Sequence, residues 1–423
     1  MQFIDGGVTA AEGFSANGML CGIKAGRKKN DVALIYSAKP CVVAGMFTQN
    51  RVKAESVKLT QKHIANGVAQ AVIANSGNAN ACTGEQGAKT AYRMAELAGQ
   101  VLKVPAEDVI VCSTGVIGQQ LPVEKIEKVI DKLAAGLCKK GHEEARMAIM
   151  TTDTHYKECA VETVIGGRKV RLGAMCKGSG MIHINLGTML AFVTTDCAIS
   201  RELLEKALRE SVAATYNCVS IDGDTSTNDT ITILANGMAE NKPVTEEGED
   251  YEAFLAALNT LNTEMAKKIA GDGEGADRLI SCTVNGAKDI GAARRLAKAV
   301  ISSSLVKAMF FGKDANFGRI LCAMGYSGEE FDPDKTTIVL SSKAGAKRHG
   351  ATDFMGEQVG PEASVTVFDH GVPLNFDEDA AKKILSEDEV DIVVTCEDGS
   401  ASGTAWGCDL TYDYVKINGD YRT

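Results

Sequence analysis

Apolar runs and helical spacings alternate along this chain from one end to the other. Apolar runs rich in β-branched residues predict eight strands, at residues 31–37, 71–75, 108–113, 189–195, 231–237, 279–285, 336–341 and 390–396. Apolar residues spaced three and four apart predict five helices, at residues 87–101, 122–137, 201–216, 251–269 and 291–310. Pro122 and Ser200 are suitable residues for starting a helix. The mixed order of these elements predicts an α/β fold, while the way in which they assemble does not follow from periodicity.

Length and composition indicate an ordinary globular enzyme. The chain has 423 residues, of which 45% are hydrophobic, so it can bury substantial cores, and two domains are expected rather than one. No segment approaches the roughly 20 uninterrupted apolar residues of a membrane helix. The chain begins MQFIDGG, without a basic and then apolar leader. We therefore expect a cytoplasmic protein with no membrane partner.

The cysteines and histidines do not form a metal-binding pattern. Thirteen cysteines are scattered without a CxxC pair, which favours buried free thiols over disulfides. The six histidines include no HExxH sequence, and no Cys/His cluster has zinc spacing. We expect neither a structural nor a catalytic metal, and no cofactor.

Charge is divided unevenly between the two parts of the chain. Residues 1–187 hold 23 Lys and Arg against 16 Asp and Glu, a net charge of +7, while residues 188–423 hold 22 against 39, a net charge of -17. The positive charge is mild, and no Lys/Arg cluster alternates with aromatic residues, so nucleic acid is not an expected partner. Opposite net charges would help the two parts attract each other.

The most informative segment is KGSGMIHINLGTMLAF, residues 177–192, in which glycines precede a threonine that opens an apolar strand. A threonine hydroxyl is a weak nucleophile and needs a base, which the α-amine of an N-terminal threonine can supply. Cleavage between Gly187 and Thr188 would create that amine, and the glycines would let the backbone bend for the attack. The structural alternative is a turn before a buried strand, and spacing alone favours it.

Two other segments look like ligand loops but lack essential residues. The stretch 84–90 has the glycines and lysine of a phosphate loop, but Ala88 separates Gly87 from Lys89. The stretch from Asp222 has the acidic spacing of a calcium loop, but it lacks the sixth-position glycine and the final glutamate. The side chains of this second stretch are better suited to capping local backbone N–H groups.

Eight segments together resemble one enzyme family. They are AVIANSGNANACTG (71–84), CSTGVIG (112–118), MTTDT (150–154), the segment 177–192, DGDTSTNDT (222–230), GDGEGA (271–276), FGKDANFGRI (311–320) and the tail TAWGCDLTYDYVKINGDYRT (404–423). The chain resembles the ornithine acetyltransferase family, the glutamate N-acetyltransferases of arginine biosynthesis, over essentially its whole length. Each segment is weak evidence alone, but their combination is specific.

The resemblance implies layered sheets and helices like those of N-terminal-nucleophile, aminopeptidase-like hydrolases, with a smaller C-terminal α/β domain from about residue 285. It also implies self-cleavage between Gly187 and Thr188. The products would be an alpha fragment, 1–187, and a beta fragment, 188–423, assembled as a heterotetramer of two of each. Ile184 stands where the family usually has proline, and Gly187 where it usually has alanine. Compared with alanine, a glycine at position 187 restricts the backbone at the scissile bond less, but it adopts a strained conformation more easily.

The resemblance also implies which residues act. Thr188 would be the nucleophile, and the Thr114 side chain with the Gly115 N–H would form the oxyanion hole. The substrate-binding positions would be Thr151, Lys177, Thr188, Glu274, Asn418 and Thr423. Lys177 would pair with a carboxylate, and Glu274 would attract an ammonium group or stabilise active-site charge. From sequence alone, the same residues suit a strand-ending turn, a loop acid and a frayed tail.

The implied reaction is ping-pong transfer of acetyl from N2-acetyl-L-ornithine through Thr188 to L-glutamate. Some members of the family also accept acetyl-CoA, so both a recycling enzyme and a bifunctional enzyme fit the resemblance. A second hypothesis is an N-terminal-nucleophile aminopeptidase or amidase that uses the same threonine with water. A third, from another class, is a nucleotide- or anion-binding protein built on the glycine-rich loops, which the broken phosphate-loop pattern disfavours.

Overall fold

The structure, a computed structural model, describes residues 1–24, 26, 28–183, 189–347 and 360–419. Its strands are β1 (Gln2–Phe3), β2 (Phe14–Met19), β3 (Val32–Phe47), β4 (Val68–Asn78), β5 (Val109–Val116), β6 (Lys157–Ile165), β7 (Arg168–Lys177), β8 (Ile182–His183), β9 (Leu190–Thr195), β10 (Ser220–Thr225), β11 (Thr230–Ala235), β12 (Leu279–Ala287), β13 (Thr337–Lys343), β14 (Glu362–Asp369), β15 (Val372–Pro373), β16 (Glu389–Thr395) and β17 (Ala401–Cys408). Its α-helices are α1 (Glu55–His63), α2 (Gly84–Leu102), α3 (Val123–Glu127), α4 (Ile130–Ala135), α5 (His142–Ala148), α6 (Arg201–Ala214), α7 (Glu249–Gly271), α8 (Ile290–Ser302), α9 (Ser304–Gly312), α10 (Phe317–Gly325), α11 (Glu378–Ile384) and α12 (Tyr412–Gly419).

The described residues form two compact units, and both contain helices and strands. The first comprises the described parts of 1–178, with 189–213 and 225–265. The second comprises 179–183, 214–224, 266–347 and 360–419. The α/β class is thereby confirmed. The division into fragments at Gly187 and Thr188 falls outside the described residues and stays a prediction.

The first unit contains a mixed sheet in the order β1-β6-β7-β9-β11-β3-β4-β5, with β2 also paired to β3. Alternate residues of its central strands enter two different apolar cores. In β4, Val72 and Ala74 join one core, while Ala71 and Ile73 join the other. Burial on both faces explains why these strands are nearly continuous apolar runs in the sequence.

The second unit contains a six-stranded sheet in the order β15-β14-β13-β16-β12-β17. Buried and partly exposed residues alternate along β12 and β16, as expected for a sheet with one buried face. Helix α8 lies very close to β17, because a Cβ added at Gly403 would stand 2.8 Å from the Arg294 backbone nitrogen. A glycine in this strand therefore allows the helix to pack against the sheet.

All eight predicted strands are confirmed, but two of the predicted helices are interrupted. The helix expected at 122–137 is divided into α3 and α4. The helix expected at 291–310 is divided at Ser303, whose extended backbone ends α8 and whose side chain caps α9 by accepting from the Val306 N–H. A serine at this position offers a local cap that competes with helix continuation, which periodicity does not reveal.

The prediction of free thiols is confirmed, although not all of them are buried. All thirteen cysteines are free, and Cys82, Cys138 and Cys322 are exposed. None of the helices in the described part of the chain is long and apolar enough to cross a membrane.

Candidate active site

The predicted oxyanion-hole residues, Thr114 and Gly115, lie at the carboxyl end of β5, beside the parallel strand β4. Thr114 and Gly115 pair with residues 76–78 of β4, and the register shifts at Asn78. The prediction of a turn after the strand is therefore wrong in detail, because Thr114 and Gly115 belong to an irregular end of β5. Gly115 has φ +135°, and an added Cβ would lie 2.5 Å from the Asn78 backbone nitrogen. Glycine is required there by both the backbone conformation and the close approach.

Asn228 ties this strand end to a segment that is far away in sequence. Its side-chain amide donates to the Ser113 carbonyl at 2.7 Å and to the Ala79 carbonyl at 2.6 Å. The Thr227 hydroxyl donates to the Asn228 side-chain oxygen at 2.6 Å. The three motifs that begin at residues 71, 112 and 222 therefore meet at one place in the first unit. Buried amide hydrogen bonds of this kind hold the strand end in one conformation.

A second cluster in the first unit surrounds the carboxylate of Asp153, which is fully buried. The carboxylate accepts from the Lys157 ammonium at 2.7 Å, the Gly178 N–H at 2.8 Å and the Thr151 N–H at 3.0 Å. Burial acts to raise the pKa of Asp153, but Lys157 and Lys177 outweigh it and hold that pKa well below its usual range. Asp153 is therefore ionised in the folded protein near neutral pH.

Lys177 lies at the end of β7 and is 8% exposed. Its backbone pairs with Leu190 in β9, which is the second residue after Thr188 in the sequence. Lys177 acts electrostatically on Asp153, yet its ammonium donates no hydrogen bond to any residue that the structure describes. A largely buried cation with unused donors can bind a ligand carboxylate.

Glu274 and Asn418 meet in the second unit. The Asn418 amide, in the last turn of α12, donates to a Glu274 carboxylate oxygen at 2.7 Å. Glu274 is 7% exposed, and its backbone N–H donates to the Ser179 carbonyl at 2.8 Å. A Cβ added at Gly180 would lie 2.5 Å from Glu274 Oε1, so a glycine leaves room for this carboxylate.

Asp222 holds the segment that leads toward the predicted cleavage site. Its two carboxylate oxygens accept from the Met181 N–H at 2.6 Å and the Ile182 N–H at 2.7 Å. Tyr414 of α12 donates its hydroxyl to Asp222 at 3.3 Å, and burial together with this carboxylate raises the pKa of Tyr414. Asp222 thus satisfies backbone N–H groups, as expected from the sequence. Within the described ranges, no group of three His, Cys, Asp or Glu side chains could hold a metal.

Several predicted site residues lie outside the described residues, namely Gly187, Thr188 and Thr423, together with the departure at Ile184. The other predicted site residues lie in three pairs. Thr151 and Lys177 both interact with Asp153, Thr114 and Gly115 lie together at the end of β5, and Glu274 accepts a hydrogen bond from Asn418.

A family comparison agrees with this set of motifs. The model of the ArgJ family matches residues 15–423. The chain belongs to the ArgJ family.

Close relatives support this assignment over the full length of the chain. The arginine biosynthesis bifunctional protein ArgJ of Caldanaerobacter subterraneus subsp. tengcongensis is 47% identical over 423 residues, covering 100% of both chains. ArgJ 1 of Clostridium acetobutylicum is 49% identical over 416 residues, covering 98% of this chain and 97% of that protein.

Solved structures of ArgJ proteins are also similar to this chain. The ArgJ structure from Bacillus halodurans is 41% identical, covers 55% of this chain and 100% of its own, and has a TM-score of 0.48. The ornithine acetyltransferase of Mycobacterium tuberculosis, solved with ornithine, is 39% identical, covers 43% of this chain and 96% of its own, and has a TM-score of 0.40.

Four residues of this ArgJ-family chain were not predicted as site residues, although each lies within a quoted motif. They are Asp153, Asp222, Asn228 and Tyr414. Their partners lie far away in sequence or are backbone N–H groups, so residue type and spacing did not reveal their contacts. The motifs that begin at residues 150 and 222 were the available signal, because each concentrates short polar side chains that bond backbone groups.

Gly115→Ala should disrupt the irregular end of β5, where the oxyanion hole is predicted. Because the added methyl group would collide with Asn78 and the backbone has positive φ, we expect a loss of about 1–3 kcal/mol of stability. We also expect acetyl transfer to slow by roughly 100-fold or more if the Gly115 N–H stabilises the oxyanion. Thermal unfolding and kcat measure the two effects.

Gly118→Ala is the matched control. Gly118 also has positive φ, at +81°, but an added Cβ would meet no atom within 4 Å. It should lose some stability through backbone strain and keep kcat near that of the unmodified protein. Equal kcat values for the two variants would contradict a specific role for Gly115.

Gly180→Ala should move the Glu274 carboxylate while leaving the fold intact. The methyl group would meet the end of a flexible side chain, which can swing away at little cost. If Glu274 binds the substrate ammonium, KM for N-acetylornithine should rise roughly 10-fold, the scale of a charged hydrogen bond. Gly325→Ala, where an added Cβ meets no atom within 4 Å, should leave KM unchanged. A KM for Gly180→Ala equal to the control value would exclude this role.

Proposed function

We propose that this chain transfers acetyl from N2-acetyl-L-ornithine to L-glutamate, yielding ornithine and N-acetylglutamate. The observation that carries the proposal is identity of 47% along the entire length of an ArgJ relative named for arginine biosynthesis. Three interactions add support: the Thr151 N–H donates to Asp153, Lys177 acts electrostatically on Asp153, and Asn418 donates to Glu274. They involve residues that the family resemblance assigns to substrate binding.

In the proposed mechanism, Thr188 is the N-terminal residue of the cleaved beta fragment. Its hydroxyl attacks the acetyl carbonyl carbon, and its α-amine accepts the proton. The Thr114 hydroxyl and the Gly115 N–H donate to the resulting oxyanion. The C–N bond then breaks, ornithine leaves with the proton, and the acetyl group remains as an ester on Thr188.

The second half of the reaction reverses these steps with another amine. The glutamate amine attacks the ester, the same donors stabilise the oxyanion, and the hydroxyl of Thr188 is regenerated. In both halves Lys177 binds the α-carboxylate that ornithine and glutamate share. Glu274 attracts the side-chain ammonium of ornithine, or stabilises active-site charge.

The proposal includes the state of the protein in the cell. We infer a cytoplasmic heterotetramer of two alpha and two beta fragments, with no nucleic acid or membrane partner. The net charges of +7 and -17 on the two predicted fragments support their association after cleavage.

Self-processing can be tested without substrate. The purified protein should run as two fragments, the larger of which begins at Thr188, because cleavage is what creates the α-amine. Thr188→Ala should remain a single chain and have no transfer activity, since both steps need the hydroxyl. N-terminal sequencing and intact mass measure the products. An active preparation that contains only the uncut chain would exclude self-processing as a requirement.

The kinetic mechanism tests the proposed acetyl transfer directly. Varying N-acetylornithine at several fixed glutamate concentrations should give parallel double-reciprocal lines, because one hydroxyl serves donor and acceptor in turn. Intersecting lines would mean that both substrates bind together. Release of acetate or free amino acids without transfer would instead favour the aminopeptidase or amidase hypothesis. The same assay with acetyl-CoA as sole donor distinguishes a bifunctional enzyme from one that only recycles acetyl groups.

A further inference from the structure

We propose that Asp153 is a positioning residue that fixes Lys177 and the backbone at Thr151 to receive the carboxylate of the amino-acid substrate. This inference rests on the proposed function, because it takes Lys177 as the group that binds that carboxylate. It assigns a new role, since Asp153 itself would not touch the substrate.

The geometry places one carboxylate between two predicted substrate-binding positions. Oδ2 of Asp153 accepts from the Thr151 N–H at 3.0 Å, and Oδ1 accepts from the Gly178 N–H at 2.8 Å. Gly178 directly follows Lys177, so the second bond fixes the backbone from which the Lys177 side chain extends. Asp153 therefore determines where both binding groups lie.

Lys157 holds the carboxylate in place. Its ammonium lies 2.7 Å from Asp153 Oδ1, and neither side chain is exposed at all. A buried carboxylate without a cation would be very unfavourable, so the ion pair is what permits Asp153 to be ionised inside the fold. The carboxylate can then bond two backbone N–H groups, one at each oxygen.

The charge balance of this cluster favours a ligand with one negative charge. Asp153 neutralises one ammonium, and Lys157 is the one that pairs with it directly. Lys177 remains as the second cation, and together the three groups carry a net charge of +1. A single carboxylate from the substrate would complete the balance in a largely buried place, where such attraction is strong.

Two variants separate positioning from simple charge balance. Asp153→Asn has only one side-chain oxygen, so one of the two backbone N–H groups loses its acceptor whichever way the amide is oriented. Adding Lys157→Met removes the unpaired buried cation, and replacing both partners of a buried pair commonly restores stability. If Asp153 merely balances Lys157, the double variant should bind substrate normally.

The measurement is glutamate binding by calorimetry with no acetyl donor present, alongside thermal unfolding and the fraction of cleaved chain. We expect Asp153→Asn/Lys157→Met to regain stability relative to Lys157→Met alone but to bind glutamate about 10- to 100-fold more weakly than the unmodified protein. Lys177→Met, as the reference for a lost carboxylate contact, should fall in the same range. A double variant whose Kd lies within about twofold of the unmodified protein would overturn the inference.

Asp196→Asn is the matched control. Asp196 is also buried, and its two oxygens accept one backbone N–H each, from Glu12 at 2.9 Å and Arg171 at 2.8 Å. Arg171 precedes Lys177 by six residues along β7, so the control lies roughly 20 Å away along the strand. It should lower stability without changing Kd. An equal loss of binding in this control would reduce the Asp153 effect to general loosening and overturn the inference.

Failure of the proposed function would look different. An unmodified protein that binds glutamate but transfers no acetyl group would contradict the function, whereas the comparison of binding constants would still decide the role of Asp153. An unmodified protein that transfers acetyl while the double variant binds glutamate normally would contradict the positioning role alone.

Discussion

Strands β4 and β5 run side by side, and at their carboxyl ends the two backbones approach so closely that no side chain fits between Gly77 and Gly115. The register of the strand pair shifts at Asn78, directly beside this approach. The apolar cores on both faces of the sheet bury the strands that lead to it. Asn228 then locks the strand end from a distant segment. The position of the proposed oxyanion donor, the Gly115 N–H, thus depends on backbone packing rather than on a flexible loop.

Buried charged side chains also fix the positions of the groups around them. In the first unit, Asp153 is kept ionised by Lys157, and among the residues that the structure describes Lys177 has no carboxylate of its own in an ion pair. In the second unit, Glu274 is a largely buried anion whose described side-chain partner is the neutral amide of Asn418. Lys177 suits a ligand carboxylate, and Glu274 suits an ammonium group, which are the roles proposed for them.

The sequence predicted the strands better than it predicted their polar contacts. Strands that are buried on both faces, such as β4, are apolar runs and were found, whereas β6 and β7 contain blocks of charged or polar residues among their apolar ones and were missed. The helix boundary at Ser303 depends on a cap that periodicity does not register. The resemblance to the family identified Lys177 and Glu274 as candidate site residues. The residues that hold them in position, such as Asp153 and Asn418, come close to them only in the folded chain. Asp153 and Lys157 are the clearest example, because a four-residue spacing also suits an exposed helical pair.

Met181 and Ile182, which precede the predicted cleavage site, are held by contacts that residue type alone does not reveal. Met181 has a positive φ of 59°, which is unfavourable for a residue with a side chain and persists only where the surroundings enforce it. The Asp222 carboxylate supplies that enforcement by binding two successive N–H groups, and the Tyr414 hydroxyl in turn holds Asp222. The family usually has a proline at the position of Ile184, and a proline restricts φ through its ring. In this chain, hydrogen bonds to residues 181 and 182 restrict the backbone just upstream instead. The stiffness that the proposed self-cleavage requires can therefore come from a carboxylate far along the chain, which lessens the dependence on a local proline.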